Sequence, residues 1–354
     1  MRKPTINDVA AAAGVSRATA SRALSDYGRI SEGTRAHVKK AAERIGYTPN
    51  QVARSMRAGN TKTLGLVIIA DFTNVFFDRA TKGIVDTARA NGYEVLITNT
   101  DENLDVEREA IRTLIEKQVD GLIVVPSTAA VHDHLDPEAR QNKPLVIIDR
   151  MVPGINATSI TTNDFASCEQ AVKEAKEKGH TNMAFLIATS TVQEPQKEKP
   201  ILQNTTIEDR VNGFMNGVID NKVKNPTWIF SPDNQTQTQK ALEELLKPKS
   251  KKEQPTIIFT SNNDMALAVL KTASKLKLNI PEDISLVTID DSEWLEAIAP
   301  GITVVERPVD ELAKLAVDKL IEHINNPTKK PEKIALETKL ISRGSIKTLK
   351  KAPK

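Results

Sequence analysis

The chain has 354 residues, 39% of them hydrophobic and 27% charged, and at roughly 150 residues per domain this predicts two or three domains with ample core. Its 18 prolines, 15 glycines and 4% aromatics exclude collagen-like and wholly disordered classes. One cysteine, Cys168, excludes an intramolecular disulfide and a thiolate metal cluster, so the cytoplasm is the expected compartment. The net charge of +3 divides unevenly along the chain. Residues 1–60 carry 11 Lys+Arg against 4 Asp+Glu, a net +7, and the remainder carries 38 against 42, a net −4. A compact basic module on a mildly acidic body predicts a polyanion-binding head joined to a soluble domain. The run Val9–Val15 is four-sevenths alanine and follows Asn7-Asp8, a poor export signal, and Leu64–Ala70 is far too short for a bilayer. A membrane protein is therefore not expected.

In chain order, Thr5-Ile6-Asn7-Asp8 has the capping-box form and starts a helix at Ile6 that runs to about Ala13. Gly14 turns the chain, and Ser16 caps a second helix through about Leu24. A third helix spans about 32–45, with Val38, Ala41, Ala42 and Ile45 at i, i+3, i+4, i+7 spacing. The second helix presents Ser16, Arg17, Ala18, Ser21 and Arg22 on its open face. Arg pairs bidentately with guanine and small residues permit close approach, so this helix suits the DNA major groove. An ordinary three-helix bundle with a solvated face is the alternative.

The stretch from Thr5 to Leu24, together with Gly46-Tyr47-Thr48-Pro49-Asn50-Gln51-Val52-Ala53-Arg54-Ser55-Met56, resembles the headpiece of the lactose-repressor family of bacterial transcription regulators. The resemblance implies that Arg17, Ala18 and Arg22 face base edges. Thr5, Ile6, Ser16, Ser21, Thr34, Tyr47 and Asn50 then contact the operator as positioning residues, mostly near phosphates. Residues 50–58 are too few for an isolated helix, which needs roughly 12–15 to be even marginal. In the family this hinge helix pairs with its dimer mate in the minor groove. Here Met56 takes the wedge position where leucine is usual, flanked by Ala53 and Arg57. A plain linker residue is the other reading of Met56.

Beyond residue 60, β-rich runs at 64–70, 93–98, 121–125 and 145–148 alternate with segments at about 75–91, 104–118 and 131–141. A second series follows, with strands at 183–187, 227–230, 256–260 and 284–289 and helices near 208–221, 236–247 and 263–277. Two βα series predict two parallel sheets with a ligand cleft between their strand ends. Segments 302–305, 308–326 and 333–340 are expected to return across both lobes. The fold class is thus an all-α helix-turn-helix headpiece plus an α/β, two-lobed, periplasmic-binding-protein-like core with parallel sheets. The boundaries expected are 1–49 for the head and 50–60 for the hinge. One lobe takes 61–161 with about 291–322, the other 162–290 with about 323–346, and 347–354 form a basic tail.

The resemblance extends over the core, where Asn99-Thr100-Asp101, Ile148-Asp149-Arg150, Thr161-Thr162-Asn163-Asp164 and Asp290-Asp291-Ser292-Glu293-Trp294 are similar to repressors of 2-keto-3-deoxygluconate and hexuronate use. It implies that Asp149, Arg210, Asn263 and Asp290 line an effector cleft. Two guanidiniums, Arg150 and Arg210, suit a carboxylate. Phe76 and Phe77 either wall the cleft, Phe77 as an effector contact, or belong to a helix core, and Trp294 either stacks on a sugar face or fills the hinge side. No P-loop, G-x-G-x-x-G or G-x-S-x-G motif is present, and no base and nucleophile pair stands out, so an enzyme is not expected. His132 and His134 read as a surface loop, and neither a metal nor a cofactor is implied. The reading is a homodimeric, ligand-responsive regulator of double-stranded operator DNA, a repressor released by a small sugar or sugar-acid effector. Alternatives are a neutral or phosphorylated sugar effector and a phosphoprotein coeffector, and the same physics permits a corepressor.

Overall fold

A computed structural model of the protein describes residues 2, 4–24, 30–47, 60–69, 74–188, 205–223, 227–231, 235–247 and 254–349. The expected hinge helix, with Asn50, Ala53, Met56 and Arg57, lies outside the described residues. The chain divides into two compact units, Met1–Thr63 and Leu64–Lys354.

The first unit holds α1 (Ile6–Ala12), α2 (Arg17–Leu24) and α3 (Glu32–Arg44). The Asp8 carboxylate accepts from the Thr5 amide and hydroxyl, both at 2.8 Å, which closes the first turn of α1. Gly14, at φ +62°, makes the turn that a β-carbon resists. Ser16 Oγ then accepts the Thr19 amide at 3.1 Å and starts α2. The core is Val9, Ala10, Ala13, Ala20, Ala23, Val38, Ala41 and Ala42. Because six of these eight are alanine, the helices approach closely around a thin core. Arg44 donates to the Ala12 carbonyl at 3.1 Å, satisfying an acceptor at the end of α1.

The second unit is built on two six-stranded sheets. In chain order its elements are β1 (Thr63–Ile68), α4 (Val75–Ala90), β2 (Glu94–Asn99), α5 (Leu104–Glu116), β3 (Gly121–Val124), β4 (Leu145–Ile148) and β5 (Thr158–Thr162). Then come α6 (Asp164–Glu177), β6 (Met183–Ala188), α7 (Thr205–Asp220), β7 (Thr227–Ser231), α8 (Gln235–Leu246), β8 (Ile257–Thr260) and α9 (Asn263–Leu276). Last are β9 (Ser285–Ile289), α10 (Glu293–Ala297), β10 (Thr303–Glu306), α11 (Val309–Asn325), β11 (Lys333–Leu336) and β12 (Lys339–Ile341). The strand orders are β11-β5-β4-β3-β1-β2 and β12-β10-β9-β8-β6-β7, the same pattern twice. β3, β4, β8 and β9 are buried along their whole length, as parallel strands covered on both faces must be. On the first sheet, α4 meets α11 so closely that a β-carbon on Gly83 would stand 2.7 Å from Ala313 Cβ. On the second, Gly213 of α7 lies against the Phe165 backbone of α6, where a β-carbon would fall 2.1 Å from the carbonyl oxygen.

Three differences from the expected boundaries follow from strand pairing. Residues 291–306 belong with the second sheet, because β10 pairs in parallel with β9, Val304 opposite Thr288. Residues 323–336 belong with the first, because β11 pairs with β5, Ile334 opposite Ile160. The chain therefore passes between lobes at 162–164, 306–309 and 336–339, and the single segment expected at 333–340 is two strands in different sheets. The segment 131–141 holds one 3-10 turn, Asp133–Leu135, because Pro137 forces Asp136 into an extended conformation. Among the described residues no helix is long and apolar enough to cross a membrane.

The expected tail is docked through residue 349. Leu349 donates to the Lys178 carbonyl at 2.8 Å, Lys347 N to Ser285 Oγ at 3.0 Å, and the Lys347 carbonyl meets His180 Nε2 at 2.9 Å. His180 is fully buried, with Nδ1 2.8 Å from Thr256 Oγ1, and burial pushes its pKa down to about 4. The unfolded chain takes up this proton near pH 6.5, which the folded state refuses until about pH 4. Stability from this site is thus present at neutral pH and lost as pH falls through that window. The resistance of wild type to urea should weaken between pH 7 and pH 4.5. His180→Gln should be less stable at pH 7 and show a shallower pH dependence by one proton; an unchanged slope would contradict the assignment.

Candidate functional site: recognition helix and interlobe cleft

The head exposes one face of α2. Ser16, Arg17, Ala18 and Arg22 are exposed and Ser21 half-buried, while Ala20 and Ala23 turn into the core. The i, i+1, i+4, i+5 pattern of residues 17, 18, 21 and 22 gives a single stripe, so both guanidiniums extend from one side. Thr5 is exposed at the entrance to α1. Ile6 and Tyr47 are half-buried against the head core. Thr34 gives its amide to Ser31 Oγ at 3.2 Å, in the first turn of α3. The stripe and the helix starts are the two kinds of group that a duplex uses, side chains for base edges and N-terminal amides for phosphates.

The cleft of the core begins with two matched strand ends. Asp149 follows β4 and Asp290 follows β9, the third strand from the same end of each sheet, and both hold positive φ, 68° and 70°. Their amides bond the neighbouring strand at 3.0 Å in each case, to Ile160 O and Val305 O. The turn at each position directs a carboxylate toward the other lobe. Between them lies Arg307, from the passage after β10. Its Nε and Nη2 donate to the two oxygens of Asp290 at 2.6 and 2.9 Å, and Nη1 donates to Asp149 Oδ1 at 2.7 Å. The guanidinium carbon stands 3.6 Å from the centre of the Phe76 ring. Burial works against the charged form, but Asp290, Asp164 and Asp149 outweigh it and push the Arg307 pKa above the ordinary arginine value.

The two expected cations are also occupied. Arg210 Nε donates to Asp164 Oδ2 at 2.6 Å and Nη1 to the Ser261 carbonyl at 2.7 Å. Asp164 is buried, which alone would raise its carboxyl, yet Arg210 and Arg307, aided by the Thr162 hydroxyl, hold it below the usual carboxylate range. Arg150 donates through Nη1 to the carbonyls of Pro126 and Ser127, at 2.9 and 3.1 Å, and through Nη2 to Glu102. The expectation that Arg150 and Arg210 stand free to take a carboxylate is therefore corrected: each already bonds an internal one, and Arg150 keeps only its Nε–H without a hydrogen-bond partner among the described residues. Asn263 is the opposite case. It is 9% exposed, and neither its amide oxygen nor its nitrogen has a hydrogen-bond partner among the described residues. An orphaned buried amide of this kind costs free energy unless something supplies its partners.

Two expected contacts are placed elsewhere. Phe77 is buried in the core of the first lobe, and it is Phe76, beside it edge to face at 5.0 Å, that backs the cleft cation. Trp294 packs against the apolar core of the second lobe, near Leu295 and Ile298. His134 is buried and bonds Glu107 Oε1 at 2.6 Å, so it is an inner residue of the first lobe rather than part of a surface loop. Arg307 was missed because an Arg-Pro pair after a strand reads as a linker. Only its contacts with two strand-end aspartates mark it. Among the described residues no group of three or more His, Cys, Asp or Glu is arranged to hold a metal.

A helix-turn-helix head joined to a two-lobed core with a polar cleft defines a DNA-binding regulator that responds to a ligand. Residues 5–50 match the lacI family of bacterial regulatory proteins, and residues 172–346 match a periplasmic binding protein-like domain. The HTH-type transcriptional repressor PurR of Aliivibrio fischeri is 30% identical over 344 residues, 97% of this chain and 98% of that protein. The HTH-type transcriptional regulator KdgR of Bacillus subtilis is 29% identical over 344 residues, 97% of each chain. The lac repressor dimer bound to operator and the anti-inducer ONPF superposes with a TM-score of 0.82 at 22% identity, over 98% of this chain and 100% of that one. The chain belongs to the LacI family of bacterial regulatory proteins. It is a transcriptional regulator rather than an enzyme.

Asp164→Ala would leave Arg210 buried without its counter-charge and remove one of the three carboxylates around Arg307. Its stability by urea unfolding should fall by about 3–5 kcal/mol, the cost of breaking a buried pair. A loss close to zero would show that water reaches this pair.

Proposed function

We propose that the protein is a cytoplasmic, homodimeric repressor of genes for sugar use, whose effector is a neutral polyhydroxylated molecule. One observation carries the effector class: Arg150, Arg210 and Arg307 each bond an internal carboxylate, while the open hydrogen-bonding groups among the described residues of the cleft are the amide of Asn263, a donor and an acceptor, and the single N–H at Arg150 Nε. Three guanidiniums against Glu102, Asp164, Asp149 and Asp290 leave the cleft at a net charge of −1. An anionic ligand meets guanidiniums that already bond carboxylates, in a cleft of net negative charge where Arg150 Nε offers one N–H, so its desolvation is poorly offset. A sugar hydroxyl both donates and accepts, which is what an amide and the outer lone pairs of two aspartates need. A sugar acid such as 2-keto-3-deoxygluconate fits this cleft less well. The dimer is supported by the operator-bound lac repressor, and two heads on one dimer would read a near-palindromic site. Effector closure of the cleft needs only about 1–3 kcal/mol of coupling to order or fray a marginal hinge helix.

A thermal-shift screen tests the effector class. Neutral pentoses, hexoses and disaccharides should include a compound that raises Tm in a dose-dependent way, while 2-keto-3-deoxygluconate, hexuronates and sugar phosphates should not. A response confined to the anions would overturn the reading. DNA affinity should fall with salt by a log–log slope of about 0.9 per neutralised phosphate. Arg22→Ala should abolish the preference for operator over random duplex while leaving the ligand-induced Tm shift intact; an unaltered preference would remove α2 from the major groove.

A further inference from the structure

We propose that Arg307 is the positioning residue of the cleft: it ties Asp149 of one lobe to Asp290 of the other, and so holds both carboxylates in place and the lobes together before any effector binds. The bidentate contact on Asp290, at 2.6 and 2.9 Å, fixes the guanidinium to the second lobe, and the 2.7 Å contact on Asp149 reaches into the first. Arg307 is 3% exposed and the two aspartates 7% and 6%, so all three bonds are shielded from solvent. The Phe76 ring closes one face of the guanidinium, which leaves its edge, where the N–H donors lie, to the carboxylates.

The placement matters because of where the residue enters. Arg307 lies in the passage from β10 to α11, where the chain leaves one lobe for the other. A hinge motion that opened the cleft would draw Asp149 and Asp290 apart, and no single guanidinium could then keep both. The same motion breaks two neighbouring interlobe bonds, from Thr206 Oγ1 to the Asp149 carbonyl at 2.8 Å and from Met151 N to Thr205 Oγ1 at 2.9 Å. Those two are neutral bonds between the turn after β4 and the start of α7. The Arg307 bonds are charge-assisted and therefore the stronger ties. Without Arg307, two carboxylates that now share one guanidinium would face each other within its width, and their repulsion would open the cleft.

The tie does not depend on the effector class or on DNA binding. Its role in presenting Asp149 and Asp290 to a ligand rests on the proposed function above. The test uses the full-length protein without effector, spin-labelled at Lys117→Cys in the first lobe and Glu177→Cys in the second, both exposed, with excess unlabelled subunits to suppress distances between protomers. The native Cys168 is buried. Electron–electron double resonance should give one narrow distance distribution for wild type. Arg307→Gln should move it to longer distance by more than its own width, and Arg307→Lys, which keeps the charge but not the fork, should fall between. If Arg307→Gln fails to fold, Asp149→Asn/Asp290→Asn/Arg307→Gln removes all three charges together and should fold with an open distribution. A wild-type distribution in folded Arg307→Gln, or in the folded triple variant, overturns the proposal. Should the tie fail while a neutral sugar still raises Tm, the positioning role falls and the effector reading stands.

Discussion

A guanidinium removed from water between two protein layers is stable only if carboxylates surround it, and Arg307 meets that condition by taking one carboxylate from each lobe. Much else in the core can be read from this requirement. The two aspartates must arrive from opposite sides, which the matched turns after β4 and β9 achieve through left-handed backbone at both positions. The guanidinium must arrive from the boundary, which the passage after β10 supplies. Phe76 must cover it, and the N-cap of α4 at Asn74, whose side chain accepts the Phe76 and Phe77 amides, sets that ring at the start of the helix.

The repeated strand order gives the cleft its symmetry of position, and the arginine breaks it. Each lobe brings the same strand-end carboxylate, but a single guanidinium, that of Arg307, bonds both. The other cations follow the same economy of charge within single lobes: Arg150 with Glu102 in the first, Arg210 with Asp164 beside the crossover. The cleft is thus close to neutral although it is dense in ions. What remains for a ligand is the amide of Asn263, the single N–H at Arg150 Nε and oxygen lone pairs, a mixed set of donors and acceptors suited to hydroxyl groups.

The head works by a different economy. Its core is largely alanine, which lets three short helices pack closely while spending few residues on apolar contact. That leaves the outer face of α2 free for Arg17, Ala18 and Arg22. Among the described cations of the head, Arg2, Arg17, Arg22, Lys39, Lys40 and Arg44 are exposed, whereas the three cleft arginines are buried and each bonds a carboxylate.

Much of this was legible in the order of residues. The head was legible because its signals are local: a capping box, a turn glycine, a serine cap and a 3.6-residue apolar spacing each act within a few positions. The alternation of strands and helices was legible because buried parallel strands are apolar throughout. β5 and α6 escaped for the same reason in reverse, since Thr158-Ser159-Ile160-Thr161-Thr162 is polar in composition and α6 is rich in Lys and Glu, although Thr158, Ser159, Ala171 and Val172 are buried. The lobe boundaries, the docking of Lys347 and Leu349 beside His180 and the partners of the three cleft arginines belonged to tertiary structure alone. Each depends on pairing between residues far apart in the chain, Asp149 with Arg307 or Asp164 with Arg210. A sequence shows that such charges exist. Only the fold decides whether they face a ligand or one another, because burial removes water and obliges every charge to find its partner within a few ångströms.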